Sequence, residues 1–294
     1  MVTLWHEGHF LSKRSLDEVT SRLKPPCKSS ILIMAAHSTE DMLSHMLDSV
    51  GASQAETIPF PHALISNFFP QNVYDDLLGF LPTDNQFESF SYGKHHSQNG
   101  ASNRLRFRMQ NDWLDRLPSA QRSFWYAVRA ALGSQRLKRA VYEKMSVGLA
   151  FRFGIAESEV NNVDGHALPE LFRELSSYRI KPHPDTRRKV ATMQISLPRD
   201  SSQRELGTEF YRRSLNPLCL MREPRGFEIV KCTPYLPNAA YCFSVLNSVS
   251  WKSWHGRSTL PPNSGMRNTI LNIWYSSAED ANLDLHRELT RTAA

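Results

Sequence analysis

Three side chains in the second half of the chain have the types and spacing that bind a metal ion. His183 and Asp185 stand two positions apart at the end of a predicted strand, and His255 follows a later apolar strand. Residues two apart on a strand point to the same side of a sheet, so this imidazole and this carboxylate can bind one cation. Two imidazoles and one carboxylate leave three adjacent positions of an octahedral ion open. A structural zinc site more often has four protein ligands, and the sequence supplies no fourth.

A strand beyond His255 offers a partner for a bound carboxylate. Arg267 opens the predicted strand 267–275, and its guanidinium can form a bidentate ion pair with a carboxylate held beside the metal. Thr269 lies two residues further on, faces the same side and can donate a hydrogen bond to that carboxylate. The open metal positions are enough for a bidentate 2-oxo acid and dioxygen.

In this order of motifs the chain resembles the iron- and 2-oxoglutarate-dependent oxygenases, and in particular their prolyl-4-hydroxylase-like branch. The resemblance covers about residues 60–275, loosely at PFPHALISNFFP (59–70) and closely from Tyr178 onward. It implies a double-stranded β-helix, which is a distorted jelly roll with helices packed on one sheet. The fold class that we expect is therefore α+β, with a jelly-roll domain, supporting helices and a helical N-terminal extension.

The resemblance also implies a role for each motif residue. His183, Asp185 and His255 would be the catalytic residues that bind Fe(II). Arg267 and Thr269 would hold the distal carboxylate of 2-oxoglutarate, which chelates the metal through its 1-carboxylate and keto oxygen. Dioxygen (O2) would split this co-substrate into succinate and CO2. Hydroxylation is the expected outcome, because relatives that halogenate have Gly or Ala in place of the aspartate.

Further contacts with the co-substrate and the substrate are predicted on neighbouring strands. Tyr178 and Gln194 lie on strand faces that can turn toward 2-oxoglutarate, with plain packing as the alternative role. Arg104 and Arg106 alternate with apolar residues in a basic strand, and we expect them to contact the substrate. Trp254, beside the distal histidine, is a candidate for stacking on the substrate, with core packing as the alternative.

The predicted elements change from helices to strands along the chain. Helices are predicted at 15–24, with a capping box from Ser15 to Glu18, at 38–50, after Pro70, at 118–150 with a break at Gly133 and Ser134, and at 168–175. Strands are predicted at 60–65, 104–109, 178–181, 190–197, 227–231, 240–246 and 269–275. This order divides the chain into a helical N-terminal extension (1–55), an oxygenase domain (56–276) and a polar tail (277–294).

Composition and charge exclude several other classes of protein. The 294 residues are 40% hydrophobic and 22% charged, as in ordinary globular proteins. No apolar run approaches the roughly 20 residues of a membrane span, and no secretory signal is recognisable, so we expect a cytoplasmic protein. The four cysteines lack the spacing of a disulfide framework or a zinc site. The net charge is +6, and eleven Lys or Arg against three Asp or Glu give residues 94–144 a local +8.

The leading functional hypothesis is a dioxygenase that hydroxylates an unactivated C–H bond of a small metabolite, anionic or linked to a carrier. A second hypothesis keeps this chemistry but takes a peptidyl or protein side chain as substrate, with the basic segment as docking surface. A third is a non-catalytic jelly-roll module that binds a metal structurally or binds nucleic acid through residues 94–144. The third hypothesis is less favoured because a metal-binding scaffold does not require Arg267, and nucleic acid is therefore a less favoured partner than a small molecule. The sequence does not predict the oligomeric state.

Overall fold

The strands of the protein form two antiparallel sheets, and six of the seven described α-helices lie before residue 154. The computed structural model describes residues 38–90 and 102–282, all within one unit. The helices are α1 (Thr39–Ala52), α2 (Gln71–Gly79), α3 (Asn111–Leu114), α4 (Ser119–Leu132), α5 (Gln135–Lys144), α6 (Ser146–Phe153) and α7 (Pro217–Met221). The strands are β1 (Ala55–Glu56), β2 (His62–Ile65), β3 (Glu88–Ser89), β4 (Arg104–Arg108), β5 (His166–Glu174), β6 (Ile180–His183), β7 (Lys189–Ser196), β8 (Glu209–Arg213), β9 (Phe227–Cys232), β10 (Ala240–Ser244), β11 (His255–Arg257) and β12 (Arg267–Tyr275).

The larger sheet has eight strands in the order β1-β2-β10-β7-β12-β5-β4-β3. Strand β12 lies in its interior and is paired on both sides, with β5 and with β7. Thr269, for example, is opposite Phe172 on β5 and Ser196 on β7. Because side chains alternate along a strand, residues paired in this way stand on the same face of the sheet.

The smaller sheet has four strands in the order β6-β11-β8-β9. The short strand β11 is central to it, since His255 is the register partner of His183 on β6 and of Phe210 on β8. Phe210 reaches the larger sheet, where its ring lies 5.9 Å from Tyr241 of β10. The two sheets therefore contact each other through side chains on their inner faces.

A layer of helices covers the outer face of the larger sheet. Ser38 caps α1 by accepting a hydrogen bond from the Asp41 amide, and an apolar stripe of this helix is buried. The shared core contains Met193 and Trp274 from the sheet and Trp125 and Leu149 from helices. Each fully buried side chain of this size contributes roughly 1.5–3 kcal/mol to folding. This core fixes β7 and β12 of the larger sheet.

Several predicted helices are confirmed. Helix α1 continues to Ala52, beyond the stop expected at Gly51. Helix α2 follows Pro70, and the predicted break in the later helical region is present, since Gly133 ends α4 and the Ser134 hydroxyl caps α5. Among the described residues, no helix is long and apolar enough to cross a membrane.

The helix predicted at 168–175 is wrong, because these residues form most of β5. Leucine and glutamate favour helices in isolation, but this segment pairs with β4 on one side and β12 on the other. Tertiary pairing therefore decides its structure. Strands β8 and β11 were also not predicted, since β11 has only three residues and leaves little periodic signal. The predicted capping box of Ser15 and Glu18 lies outside the described residues.

Candidate metal centre

His183, Asp185 and His255 converge on one point between the two sheets. One ligand atom from each lies within 4.8 Å of the other two. The two imidazole rings are 4.4 Å apart between centroids, and Nε2 of His255 is 3.9 Å from Oδ2 of Asp185. His183 is the last residue of β6, Asp185 follows two residues later, and His255 begins β11. The direct pairing of β6 with β11 brings them together.

A glycine allows the two histidine strands to approach closely. A Cβ atom added to Gly256 would lie 2.6 Å from the carbonyl oxygen of Ile180, which is closer than real Cβ contacts. The residue after the distal histidine therefore has to be small if β11 is to pair with β6 at this distance.

Hydrogen bonds to the backbone orient both imidazoles in the same way. Nδ1 of His183 donates to the Lys181 carbonyl at 2.9 Å, and Nδ1 of His255 donates to the Ser253 carbonyl at 2.8 Å. With the proton on Nδ1, Nε2 keeps its lone pair for a metal ion. Such backbone contacts fix the tautomer and ring direction before a metal binds.

Asp185 is held by two side chains from β7. Lys189 donates to Oδ1 at 2.8 Å, and the Thr192 hydroxyl donates to Oδ2 at 3.0 Å. The side-chain amide of Asn247 also donates to the backbone carbonyl oxygen of Asp185 at 3.1 Å. These contacts orient the carboxylate toward the histidines, as outer contacts do at metal sites in general.

The protonation states suit metal binding. Burial, followed by the neighbouring His255, lowers the pKa of His183 to about 4, and burial also lowers the pKa of His255. Burial by itself would raise the pKa of Asp185, but Lys189 and the two histidines hold it below its usual range. At neutral pH the centre therefore offers two neutral imidazoles and one carboxylate, which are the forms that bind metals.

The inner face of the larger sheet places Arg267 and Thr269 on the same side as the metal ligands. Thr192 on this face contacts Asp185, and the register of β7 with β12 puts Thr269 and Arg267 on the face of Thr192. Arg267 is 2% exposed; its Nε donates to the Leu206 carbonyl at 2.7 Å. The Oγ1 atom of Thr269 is buried with no hydrogen-bond partner among the described residues.

Gln194 and Tyr178, predicted to contact the co-substrate, are also buried on this side. Oε1 of Gln194 accepts hydrogen bonds from the Tyr241 hydroxyl at 2.6 Å and from the Thr208 hydroxyl at 3.2 Å. Its Nε2 atom has no partner within the described part of the chain. Tyr178 hydrogen-bonds Glu174, the last residue of β5, and burial raises the pKa of its hydroxyl.

Arg104 and Arg106, predicted to contact the substrate, are buried on β4 and paired with carboxylates. Nε of Arg106 donates to Oε1 of Glu88 at 2.8 Å. Nε of Arg104 lies 3.3 Å from Oε1 of Glu174. The basic face predicted from the alternating arginines is therefore largely neutralised by internal ion pairs.

Trp254 packs beside the smaller sheet. Its ring is 4.8 Å from the Phe227 ring, with the Arg213 guanidinium 5.0 Å from its centroid.

Glu209, at the start of β8, accepts hydrogen bonds from the Ser258 hydroxyl and backbone amide, each at 2.8 Å. Trp254 and Glu209 thus have protein partners of their own.

Two residues that hold the centre together were missed by the sequence reasoning. Lys189 stands four residues after Asp185, a spacing at which an acid and a base can meet, and this signal was present in the sequence. Glu174 pairs with Arg267 across β5 and β12, and that contact depends on a register that no local pattern gives.

The donor set fits a ferrous ion with a 2-oxo acid. Two imidazole nitrogens and one carboxylate oxygen are the ligands of non-haem iron sites that keep open positions. Thr269 Oγ1 and Gln194 Nε2, both buried and without partners among the described residues, are polar atoms that a ligand with several oxygens can satisfy.

Comparison with known proteins gives only distant similarity, to solved structures. No protein-family model matches the chain, and no curated protein matches it in sequence. A prolyl-4-hydroxylase from Pseudomonas putida is 9% identical with a TM-score of 0.45, covering 80% of this chain and 98% of that one. An oxidoreductase of the 2OG-Fe(II) oxygenase family from Burkholderia pseudomallei is 13% identical with a TM-score of 0.40, covering 82% of this chain and 91% of that one.

A third match is the non-heme alpha-ketoglutarate-dependent epimerase SnoN from nogalamycin biosynthesis. It is 9% identical with a TM-score of 0.39, covering 80% of this chain and 84% of that one. At such low identities and TM-scores the likeness carries no argument about chemistry, which rests on the side chains of this chain.

Proposed function

We propose that this protein is an Fe(II)- and 2-oxoglutarate-dependent oxygenase. The observation that carries the proposal is the convergence of His183, Asp185 and His255, each with one ligand atom within 4.8 Å of the others. This set is the two-histidine, one-carboxylate triad of non-haem iron oxygenases. The two facing antiparallel sheets support a double-stranded β-helix as the fold of the proposed oxygenase domain, residues 56–276.

The three ligands would hold the ferrous ion through Nε2 of each histidine and one carboxylate oxygen of Asp185. The carbonyls of Lys181 and Ser253 keep the Nδ1 protons in place, so neither ring has to change tautomer when the metal binds. A ferrous ion held there would activate dioxygen, which is the oxidant: one oxygen atom would enter succinate as 2-oxoglutarate loses CO2, and the other would hydroxylate the substrate.

The inner face of the larger sheet would bind the co-substrate. Arg267 supplies a buried guanidinium for the distal carboxylate, and the unpartnered hydroxyl of Thr269 can donate to the same group. Gln194 offers an amide N–H on the neighbouring strand. Because these groups are buried, their hydrogen bonds to a carboxylate are made away from competing water.

We propose a small organic molecule as the substrate, oxidised at an unactivated C–H bond. Burial of most of the centre supports this, since His255 is 9% and Asp185 6% exposed, while His183 is half-buried. The basic segment gives little support to a nucleic-acid or acidic-peptide docking surface. Arg106 is paired with Glu88, and Lys144 donates to the backbone carbonyls of Gly51 and Ser53. A peptidyl substrate is an outcome that the assay below can detect.

The test is production of succinate from 2-oxoglutarate in air with added ferrous ion, in the presence of candidate substrates, followed by mass spectrometry for a gain of one oxygen. We expect His183→Ala to abolish succinate production. His166→Ala replaces an exposed histidine at the start of β5 and is the matched control. Full succinate production by His183→Ala would refute the proposal, and oxidation of peptides but not of small molecules would replace the substrate class.

A further inference from the structure

The arginine proposed to hold the co-substrate already has a carboxylate partner within the protein. Nη1 of Arg267 donates to Oε2 of Glu174, and both side chains are 3% exposed. Nε of Arg267 is engaged by the Leu206 carbonyl. Glu174 therefore occupies one of the hydrogen-bonding directions that a planar guanidinium offers to a carboxylate.

A second arginine stands on the other side of Glu174. Nε of Arg104 is 3.3 Å from Oε1 of Glu174, but it is buried and makes no aligned hydrogen bond to any described residue. Its guanidinium is otherwise surrounded by aromatic rings, with Phe172 at 4.0 Å and Phe90 at 5.2 Å from their centroids. Among the described residues, Glu174 is the carboxylate that pairs with Arg104.

The charges of this group are not balanced by its own members. Arg104 and Arg267 carry two positive charges, and Glu174 carries one negative charge. Buried charges are stable when each has an oppositely charged, hydrogen-bonded partner. One more carboxylate would give each guanidinium its own partner, with Glu174 fully bonded to Arg104 and the new carboxylate bonded to Arg267.

We propose that Glu174 competes with the distal carboxylate of 2-oxoglutarate for Arg267, and that Arg104 receives Glu174 when the co-substrate binds. The inference rests on the proposed function. It makes Glu174 and Arg104 positioning residues that set the affinity for the co-substrate, and it assigns Arg104 a role other than contact with the substrate. The Tyr178 hydroxyl, which hydrogen-bonds Glu174, can follow the carboxylate in this movement.

A simpler role for Glu174 predicts the opposite sign. If Glu174 only orients Arg267, its removal loosens the guanidinium and weakens 2-oxoglutarate binding. If Glu174 competes, its removal frees Arg267 and leaves more positive charge at the site, so binding tightens. Hydrogen bonds to charged groups are strong enough for a change of about 10-fold or more.

The experiment is calorimetric titration of the metal-loaded protein with 2-oxoglutarate under argon, without turnover. We expect Glu174→Gln to bind 2-oxoglutarate about 10-fold more tightly than the wild type. The same protein is titrated with 2-oxopentanoate, which has the keto acid but no distal carboxylate. Its affinity should be the same in both proteins, because it does not compete for Arg267. Arg104→Met should weaken 2-oxoglutarate binding and leave 2-oxopentanoate unaffected.

Glu170→Gln is the matched control, since Glu170 lies on the same face of β5 and is 3.5 Å from Arg106 rather than beside Arg267. Equal tightening in this control would overturn the proposal in favour of a general charge effect. If Glu174→Gln unfolds at the same temperature as the wild type but binds 2-oxoglutarate equally or more weakly, the proposal is overturned, and Glu174 only orients Arg267. Should Glu174→Gln fail to fold, Glu174→Asp shortens the side chain and should give the same sign. Failure of the wild type to bind 2-oxoglutarate would refute the proposed function instead.

Discussion

Neighbouring residues of β7 face two different environments. Met193 is buried in the apolar core against the helices, while Thr192 and Gln194 point to the opposite face. The same alternation continues on β12, where Trp274 joins the core and Thr269 does not. One face of the larger sheet is thus filled by apolar packing, and the other carries polar groups beside the proposed metal ligands.

Within a single strand, the residues that stabilise the fold lie on one face and the residues beside the proposed metal site lie on the other. Apolar packing on the outer face fixes the strands to within small displacements, because protein cores are closely packed. The inner face carries buried polar atoms without protein partners, such as Thr269 Oγ1, which cost stability unless a ligand satisfies them. Substitutions on the two faces should therefore have different consequences.

The largest effect is expected from removing a metal ligand on the inner side. Asp185→Ala leaves the two imidazoles without the carboxylate, and turnover should become undetectable. Metal affinity, measured by competition with a chelator, should fall by more than the roughly 10–100-fold typical of substitutions in the outer contacts of a metal site. Asp112→Ala, which removes an exposed carboxylate on α3, should leave metal affinity unchanged. Wild-type metal affinity in Asp185→Ala would contradict the assignment.

The next largest effect should come from the apolar face. Met193→Ala leaves a cavity in the core and should lower the free energy of unfolding by about 2–5 kcal/mol, measured by urea denaturation. Metal affinity of the folded protein should stay within about 2-fold of the wild type, since the outer face does not contact the ligands. A loss of metal affinity that matches the loss of stability would break the separation of the two faces.

The stability of the metal-free protein should depend on pH through the histidines. The pKa of His183 is lowered from 6.5 to about 4, and that of His255 is lowered in the same direction. Between these pH values the unfolded chain binds more protons than the folded one, so stability falls as pH drops from about 6.5 toward 4. His183 alone should contribute about 2–3 kcal/mol to this loss.

Urea denaturation in the presence of a chelator measures this dependence. His183→Gln should flatten the slope between pH 6.5 and 4. Below this range Asp185 becomes the group that matters, because its lowered pKa stabilises the fold at higher pH and that stability is lost on protonation. An identical slope in His183→Gln and the wild type would show that the pKa of His183 is not lowered in the folded protein.

The smallest of these effects should come from Thr192→Val, which keeps the shape of the side chain and removes its hydrogen bond to Asp185. Metal affinity should fall by roughly 10-fold, at the lower end of the range for outer contacts. Urea denaturation should show a change of about 1 kcal/mol in the metal-free protein. Met193 and Thr192 are adjacent on β7 but lie on opposite faces of the sheet. Equal effects of Met193→Ala and Thr192→Val on metal affinity would contradict the different roles of the two faces.

The sequence predicted the parts of the site that local spacing encodes. The spacing of His183 and Asp185 predicted that they share a site, although Asp185 lies just after β6 and not on it. Arg267 and Thr269 follow strand periodicity on β12, so this pair could be placed on one face without coordinates. The prediction that the distant His255 joins this pair came from the resemblance to a family. Strand pairing provides its physical basis, since β11 lies directly beside β6.

Long-range register explains what could not be predicted. Residues 168–175 have helix-forming side chains, yet they form β5 because β4 and β12 pair on either side. The pairing of Glu174 with Arg267 and Arg104 depends on that strand, so an error in one element concealed the partners of both arginines. Arg104 was consequently assigned to substrate contact from its alternation alone.

We propose that His183, Asp185 and His255 form, together with Arg267, one site for a metal ion and a 2-oxo dicarboxylic acid. Calorimetric titration of the wild type with 2-oxoglutarate under argon, with and without ferrous ion, tests it most directly. We expect one 2-oxoglutarate bound per chain, only when ferrous ion is present, with much weaker binding by Arg267→Ala. Binding that is equally strong without the metal, or equally strong after Arg267→Ala, would contradict it.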